Sequence, residues 1–258
     1  MRKINTEINL TQFCQLHCEN CNRGLGLWQE HWHENPDDMT PAMIENFVVQ
    51  ARKAKEEGRI QIRRVKLVGG EPMKAKYFKE IFHILVAAAD EGLIGKLKIS
   101  TNCVDEIPEW ARGHPKVVWS KSPVRKKKHT PITWSPEDLG HGHLQGPCSM
   151  PFRCGASLDA HGWLPCSAAM FIVKCFDLEK HYRQELPSEP WAMNGDDGLC
   201  RHCIHKMPNS WNAEYFATHK GLEHVEPTET WRKALAHYEE KANIKNPVFS
   251  NRTPLQLV

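Results

Sequence analysis

Ile4-Asn5-Thr6-Glu7-Ile8-Asn9-Leu10 alternates apolar and polar residues in the period of a half-buried strand, and Cys14, Cys18 and Cys21 follow directly. Three thiols are therefore expected on a loop at the C-terminal end of a first strand. The pattern then repeats without the cysteines. Thr40-Pro41 has the chemistry of a helix N-cap and first helical residue, and Ile44, Phe47, Val48 and Ala51 mark one helical face that runs out by Gly58. Ile62 to Val68 predicts a second strand, closed by Gly69-Gly70-Glu71-Pro72, and Tyr77, Phe78, Ile81, Phe82, Leu85, Val86 and Ala89 predict a helix ended by Gly92.

Lys96 to Ser100 and Lys116 to Ser120 read as two weaker strands, separated by a short helical piece around Ile107 to Arg112. This alternation predicts an α/β fold with a parallel sheet and right-handed crossovers, whose ligands gather at the C-terminal strand ends. Four strands precede Cys148, so a barrel built this way is shortened and has an open side. Between Lys121 and Gly146 the chain becomes rich in Pro, Gly, His and basic residues, as a linker would be. Helical spacing returns at Trp231, Ala234, Leu235 and Tyr238, and residues 245–258 read as an extended tail. The expected units are 1–146, 147–225 and 226–258.

The chain has 258 residues, 40% hydrophobic and 25% charged, with a net charge of +3. No apolar run approaches a membrane span, and the first residues lack the apolar core of a secretion signal, so a cytoplasmic protein is expected. Ten cysteines in such a chain point to metal rather than disulfides. Three sit in the first loop and six, Cys148, Cys154, Cys166, Cys175, Cys200 and Cys203, in one later stretch, which predicts two metal centres. Three thiolates are one fewer than a closed zinc or four-iron site requires, which leaves a position for a cofactor or substrate. Zinc completed by His17 or a more distant ligand is the alternative.

Phe13-Cys14-Gln15-Leu16-His17-Cys18-Glu19-Asn20-Cys21 resembles the cluster loop of radical S-adenosylmethionine enzymes, and Gly69-Gly70-Glu71-Pro72 resembles that family's methionine-binding turn. Ser100-Thr101-Asn102 resembles residues that line the ribose. The resemblance covers roughly residues 4–120 and implies a [4Fe-4S] cluster on Cys14, Cys18 and Cys21. S-Adenosylmethionine would contact Gly69, Gly70, Glu71, Pro72, Ser100 and Asn102, with Glu71 accepting from the methionine ammonium. Reductive cleavage would yield a 5′-deoxyadenosyl radical that abstracts a substrate hydrogen, the electron coming from a donor such as flavodoxin or ferredoxin. One departure is Asn20, where the family commonly places an aromatic residue against the adenine.

Cys148, Cys154 and Cys166, with Gly162-Trp163-Leu164-Pro165 before Cys166 and the later pair Cys200 and Cys203, resemble the SPASM or twitch auxiliary-cluster extension. The expected fold is thus a partial parallel β/α barrel of the radical S-adenosylmethionine type followed by a small cysteine-rich domain. The resemblance implies an auxiliary [4Fe-4S] cluster on Cys154, Cys166, Cys200 and Cys203, with Cys148 the other candidate. A four-cysteine zinc site is its alternative. Cys103 and Cys175 are expected to pack.

By analogy with the family, the expected substrate is a peptide, protein or small metabolite. The basic run Arg125 to His129 motivates a nucleotide or nucleic-acid substrate instead, and a non-catalytic zinc protein that binds nucleic acid is the alternative of another class. His141, His143, His202 and His205 are expected in ordinary polar roles. Trp119, Trp134, Trp163 and Trp191 are expected mainly in the core.

Overall fold

The structure, a computed structural model, describes residues 1–250 apart from 17, 19, 20, 22, 26, 35, 122–131, 141–147, 190–197 and 207–225. His17, Asn20, Arg125 to His129, His141, His143 and Trp191 therefore lie outside the described residues, as does most of the expected linker.

Among the described residues, six strands form one open sheet: β1 (Arg2–Asn9), β2 (Ile60–Val68), β3 (Ile94–Thr101), β4 (Val117–Lys121), β5 (Ala156–Asp159) and β6 (Gly162–Leu164). Their order is β4-β3-β2-β1-β5-β6, and every neighbouring pair is parallel except β5 with β6. The mixed α/β architecture and the mostly parallel, unclosed sheet are compatible with a partial barrel.

Among the described residues, six helices accompany it: α1 (Gln29–Glu34), α2 (Pro41–Glu56), α3 (Phe78–Asp90), α4 (Met150–Arg153), α5 (Ala169–Cys175) and α6 (Glu229–Lys241). Thr40 caps α2 as its chemistry requires, its hydroxyl accepting from the Met43 amide at 3.4 Å. Ile44, Phe47, Ala51 and Ala54 of α2, with Phe78, Ile81, Phe82 and Leu85 of α3, cover one face of the sheet. The expected helical piece near residue 107 is a single turn, Glu109–Ala111.

Strands β5 and β6 were not marked by periodicity. Every residue in them is buried, so no alternation signals the strand. Gly155 is the local clue: its φ of 88° and the Asn5 carbonyl, which a Cβ would strike, admit only glycine where the chain joins β1. Once there, the Thr6 hydroxyl donates to the Ala156 carbonyl at 2.8 Å and the Asn9 amide to the Ser157 hydroxyl at 3.0 Å. The stretch around Cys154 thus contributes two strands to the same sheet as the cysteine loop.

A second core lies around α5 and α6, where Trp28, Trp32, Phe171, Trp231, Leu235 and Tyr238 pack together. Of the tryptophans singled out above, Trp163 is fully buried against Phe47, Trp119 packs on the first core and Trp134 is buried. Among the described residues no helix is long and apolar enough to cross a membrane.

Glu239 of α6 is 2% exposed. Its carboxylate accepts from Trp28 Nε1 at 2.8 Å and from the amides of Val248, Phe249 and Ser250 at 2.6–2.8 Å. Burial pushes its pKa up, but these four donors hold it below the ordinary value. The first residues of the expected tail are therefore anchored, and the anchor reaches Trp28 beside α1. Glu239→Gln leaves one oxygen to accept and sets an NH2 against the two donors that bonded the other, and a stability loss of about 2–3 kcal/mol is expected, read as a lower denaturation midpoint at unchanged slope.

Candidate active site

The loop after β1 and the turn after β2 are joined by backbone. Leu10 donates to the Val68 carbonyl at 2.9 Å, Gly70 to Thr11 at 2.8 Å and Glu71 to Phe13 at 2.8 Å. Thr11 and Phe13 hold these positions only because residues 69 and 70 lack side chains. A Cβ on Gly69 would meet the Thr11 carbonyl, and one on Gly70 the Phe13 carbonyl and the Cys14 Cβ. The two sequence motifs, about fifty residues apart, thus form one seam with Cys14 at its end.

Glu71 is fully buried, at 0% exposure. One carboxylate oxygen accepts from the Met73 amide at 3.3 Å; the other accepts from the Asn102 amide at 2.7 Å and the Thr101 hydroxyl at 3.1 Å. The end of β3 is thereby tied to the turn after β2. Burial outweighs these donors and holds the Glu71 pKa above the ordinary value. Pro72 is buried at the start of the turn that follows.

Asn102 points onward to the cysteine loop. Its side-chain amide lies 3.9 Å from Cys14 Sγ and 3.4 Å from Gln15 Oε1, while Gln15 donates to Asp105 at 2.8 Å. Ser100 lies half-buried near the end of β3. Behind the loop, His33 donates from Nε2 to the Cys14 carbonyl at 3.0 Å and stacks on Phe13 with ring centroids 4.2 Å apart. His33 carried no signal in the sequence.

Cys14, Cys18 and Cys21 are all half-buried. Burial, then the nearby Cys21, Cys18 and Glu71, push the Cys14 thiol up to about 11, and burial with Cys21 also raises Cys18. Negative charge on one of these thiols thus opposes it on another. A positively charged metal centre relieves that opposition, and in this sense the three residues fit one.

The later cysteines separate into two environments. Cys166 is buried, and burial followed by Cys203, Cys200 and Cys148 raises its thiol well above the ordinary value. Cys203 and Cys148 are buried as well, and Cys203 donates its amide to the Cys200 carbonyl at 3.2 Å in a tight turn. Cys154 has other surroundings: burial and then Glu7 raise it, while Lys66, Arg153 and Arg23 oppose. Cys175 is buried at 1% exposure in the second core. Cys103 is half-buried at a positive φ of 65°. His202 stacks on Phe176 at 4.1 Å, and burial lowers the pKa of both His202 and His205.

Among the described residues, which include all ten cysteines, no disulfide forms, and no three His, Cys, Asp or Glu side chains gather tightly enough to hold a metal ion. The thiols are neighbours rather than closed cages.

No protein-family model matches the sequence, and no curated protein matches it. A crystal structure of BtrN in complex with AdoMet and 2-DOIA is similar, with a TM-score of 0.41 and 17% sequence identity over 67% of this chain and 77% of that chain.

Gly70→Ala places a methyl group on the Phe13 carbonyl and must part the seam. A stability loss of about 1–3 kcal/mol is expected, read as a lower denaturation midpoint. An unchanged midpoint in the alanine variant would show that the seam does not depend on this close approach.

Proposed function

We propose that this chain is a radical S-adenosylmethionine enzyme, with a [4Fe-4S] cluster on Cys14, Cys18 and Cys21 and an auxiliary [4Fe-4S] cluster in its later half. The observation that carries the reading is the seam: three segments that resemble the family's elements, residues 13–21, 69–72 and 100–102, are in mutual hydrogen-bonded contact around Cys14. A cluster with an open iron and bound S-adenosylmethionine supplies one-electron cleavage of a carbon–sulfur bond and, from it, hydrogen abstraction from a substrate. The electron would come from a donor such as flavodoxin or ferredoxin.

This chain's residues supply position. Gly69 and Gly70 allow close backbone approach, and the Gly70 and Glu71 amides hold the cysteine loop. Glu71, proposed to receive the methionine ammonium, also accepts from Met73, Thr101 and Asn102, which fixes its carboxylate against β3 and leaves acceptor capacity on Oε1. Asn102, whose side-chain amide lies 3.9 Å from Cys14 Sγ, would then border the cluster.

For the auxiliary cluster, the common surroundings of Cys148, Cys166, Cys200 and Cys203 support that set of four over one containing Cys154. On this assignment Cys148→Ala lowers iron by about one four-iron cluster per chain, whereas Cys154→Ala retains it. Iron and sulfide analysis of the reconstituted variants decides between the two sets, and zinc in place of iron would dismiss both.

The activity itself is tested by reducing the reconstituted protein anaerobically with S-adenosylmethionine. Release of 5′-deoxyadenosine is expected, and Cys18→Ala is expected to lower it by at least a hundredfold. Undiminished release by that variant would remove the proposal.

A further inference from the structure

Asn102 has both polar atoms of its side chain engaged, and one of its neighbours is a sulfur. Its Oδ1 accepts from the Val104 amide at 3.0 Å, while its Nδ2 lies 3.4 Å from Gln15 Oε1 and 3.9 Å from Cys14 Sγ. The chain closes this turn through Cys103 at a positive φ of 65°, a left-handed conformation that residues with a side chain rarely adopt.

Neighbouring groups fix the direction of the amide. The Val104 amide can only donate, so the Asn102 oxygen must face it. Gln15 donates from Nε2 to the Asp105 carboxylate at 2.8 Å, and a carboxylate only accepts, so the Gln15 oxygen is the end left for Asn102. The Asn102 NH2 group therefore lies between an oxygen and a sulfur, with one N–H for each. Asp105 is in turn paired with Lys74 at 3.2 Å, just beyond the glycine turn, and the Asn102 backbone amide donates to Glu71 at 2.7 Å. Both routes lead back to the turn after β2, so the segments that hold the cysteine loop also aim this N–H.

Charge at Cys14 gives the N–H its importance. Burial, then Cys21, Cys18 and Glu71, disfavour negative charge on the Cys14 sulfur, whereas the Leu16 backbone amide favours it. A cluster thiolate carries part of the electron that reduction adds, and an N–H directed at it stabilises the reduced state more than the oxidised one. Such a bond raises the potential, and the fully buried Glu71 carboxylate acts the other way.

We propose that Asn102 acts through Cys14: its side-chain N–H donates to the Cys14 thiolate and raises the reduction potential of the first cluster. The cluster then takes an electron from a donor such as flavodoxin or ferredoxin more readily, and is a correspondingly weaker reductant toward the sulfonium. Asn102 is thus a positioning residue, affecting the reaction by way of the cluster. The inference rests on the proposed function in requiring a cluster on Cys14, Cys18 and Cys21.

The test is a redox titration of the reconstituted protein without S-adenosylmethionine, followed by EPR, the first cluster's signal being the one that Cys18→Ala removes. Asn102→Asp keeps the size and the acceptor for Val104 but puts an oxygen where the donor was; Asn102→Leu removes the donor without adding charge. Both are expected to move the midpoint to more negative values. The aspartate is expected to disfavour reduction at least tenfold, which is about 60 mV for one electron, and the leucine less. A second readout observes the bond itself. With asparagine labelled with 15N at the side-chain amide, pulsed EPR of the reduced cluster is expected to show a 15N coupling that Asn102→Asp abolishes. Should neither variant hold the first cluster, the coupling is expected to persist in an Asn20→Ser/Asn22→Ser variant, whose cysteine segment then has no asparagine of its own. A midpoint unmoved in both variants, or no 15N coupling in the parent, overturns the inference and leaves the proposed function standing. A chain that assembles no cluster on these cysteines overturns both.

Discussion

Two backbone hydrogen bonds, from Gly70 to Thr11 and from Glu71 to Phe13, join the loop after the first strand to the turn after the second. Each is an ordinary amide–carbonyl bond, worth about 1 kcal/mol net. Their influence comes from what they align. With the seam closed, the Glu71 carboxylate faces the end of β3 and takes up the Asn102 amide and Thr101 hydroxyl, and the Asn102 side chain falls beside Cys14. A carboxylate buried this completely is tolerated only because its donors are in place, so the three strand ends are held together or not at all.

The cysteine loop is also supported from its far side. Gly24, in a left-handed conformation, lies where a Cβ would occupy the Phe171 ring, and Trp28 joins Phe171 and Tyr238 in the second core. Glu239 connects that core to the segment at Val248–Ser250. The loop therefore runs between two hydrophobic cores, one under α2 and α3 and one around α5 and α6. Neither core alone fixes it.

Periodicity made α2, α3 and the first four strands legible because each sets apolar side chains on one face and mostly polar or charged ones on the other. It was silent on β5 and β6, which are short and buried throughout. The cysteine loop and the glycine turn could be picked out by residue type, but their direct contact depends on backbone geometry that no spacing reveals. Residue type singled out Glu71, but its bonds to Met73, Thr101 and Asn102, which tie β3 to the turn after β2, depend on the folded backbone and left no mark in the sequence. Among the later cysteines, the resemblance offered both Cys154 and Cys148; Cys154 lies near Glu7 and Lys66, and Cys148 near Cys166, a distinction that linear order does not carry. His33 was invisible because its partner is a backbone carbonyl, which any sequence provides.

The parallel pairing of β5 with β1 has a consequence for biosynthesis. Thr6 waits for a partner 150 residues downstream, and at about 5–20 residues per second the ribosome needs on the order of ten to thirty seconds to supply it. Throughout that interval one border of the first strand has exposed amides and carbonyls, a template for pairing with other nascent chains. A charged, asparagine-rich strand such as Lys3-Ile4-Asn5-Thr6-Glu7-Ile8-Asn9 is a poor substrate for such sticking. The same polar residues that later face the interior of the sheet thus act beforehand as a guard against aggregation.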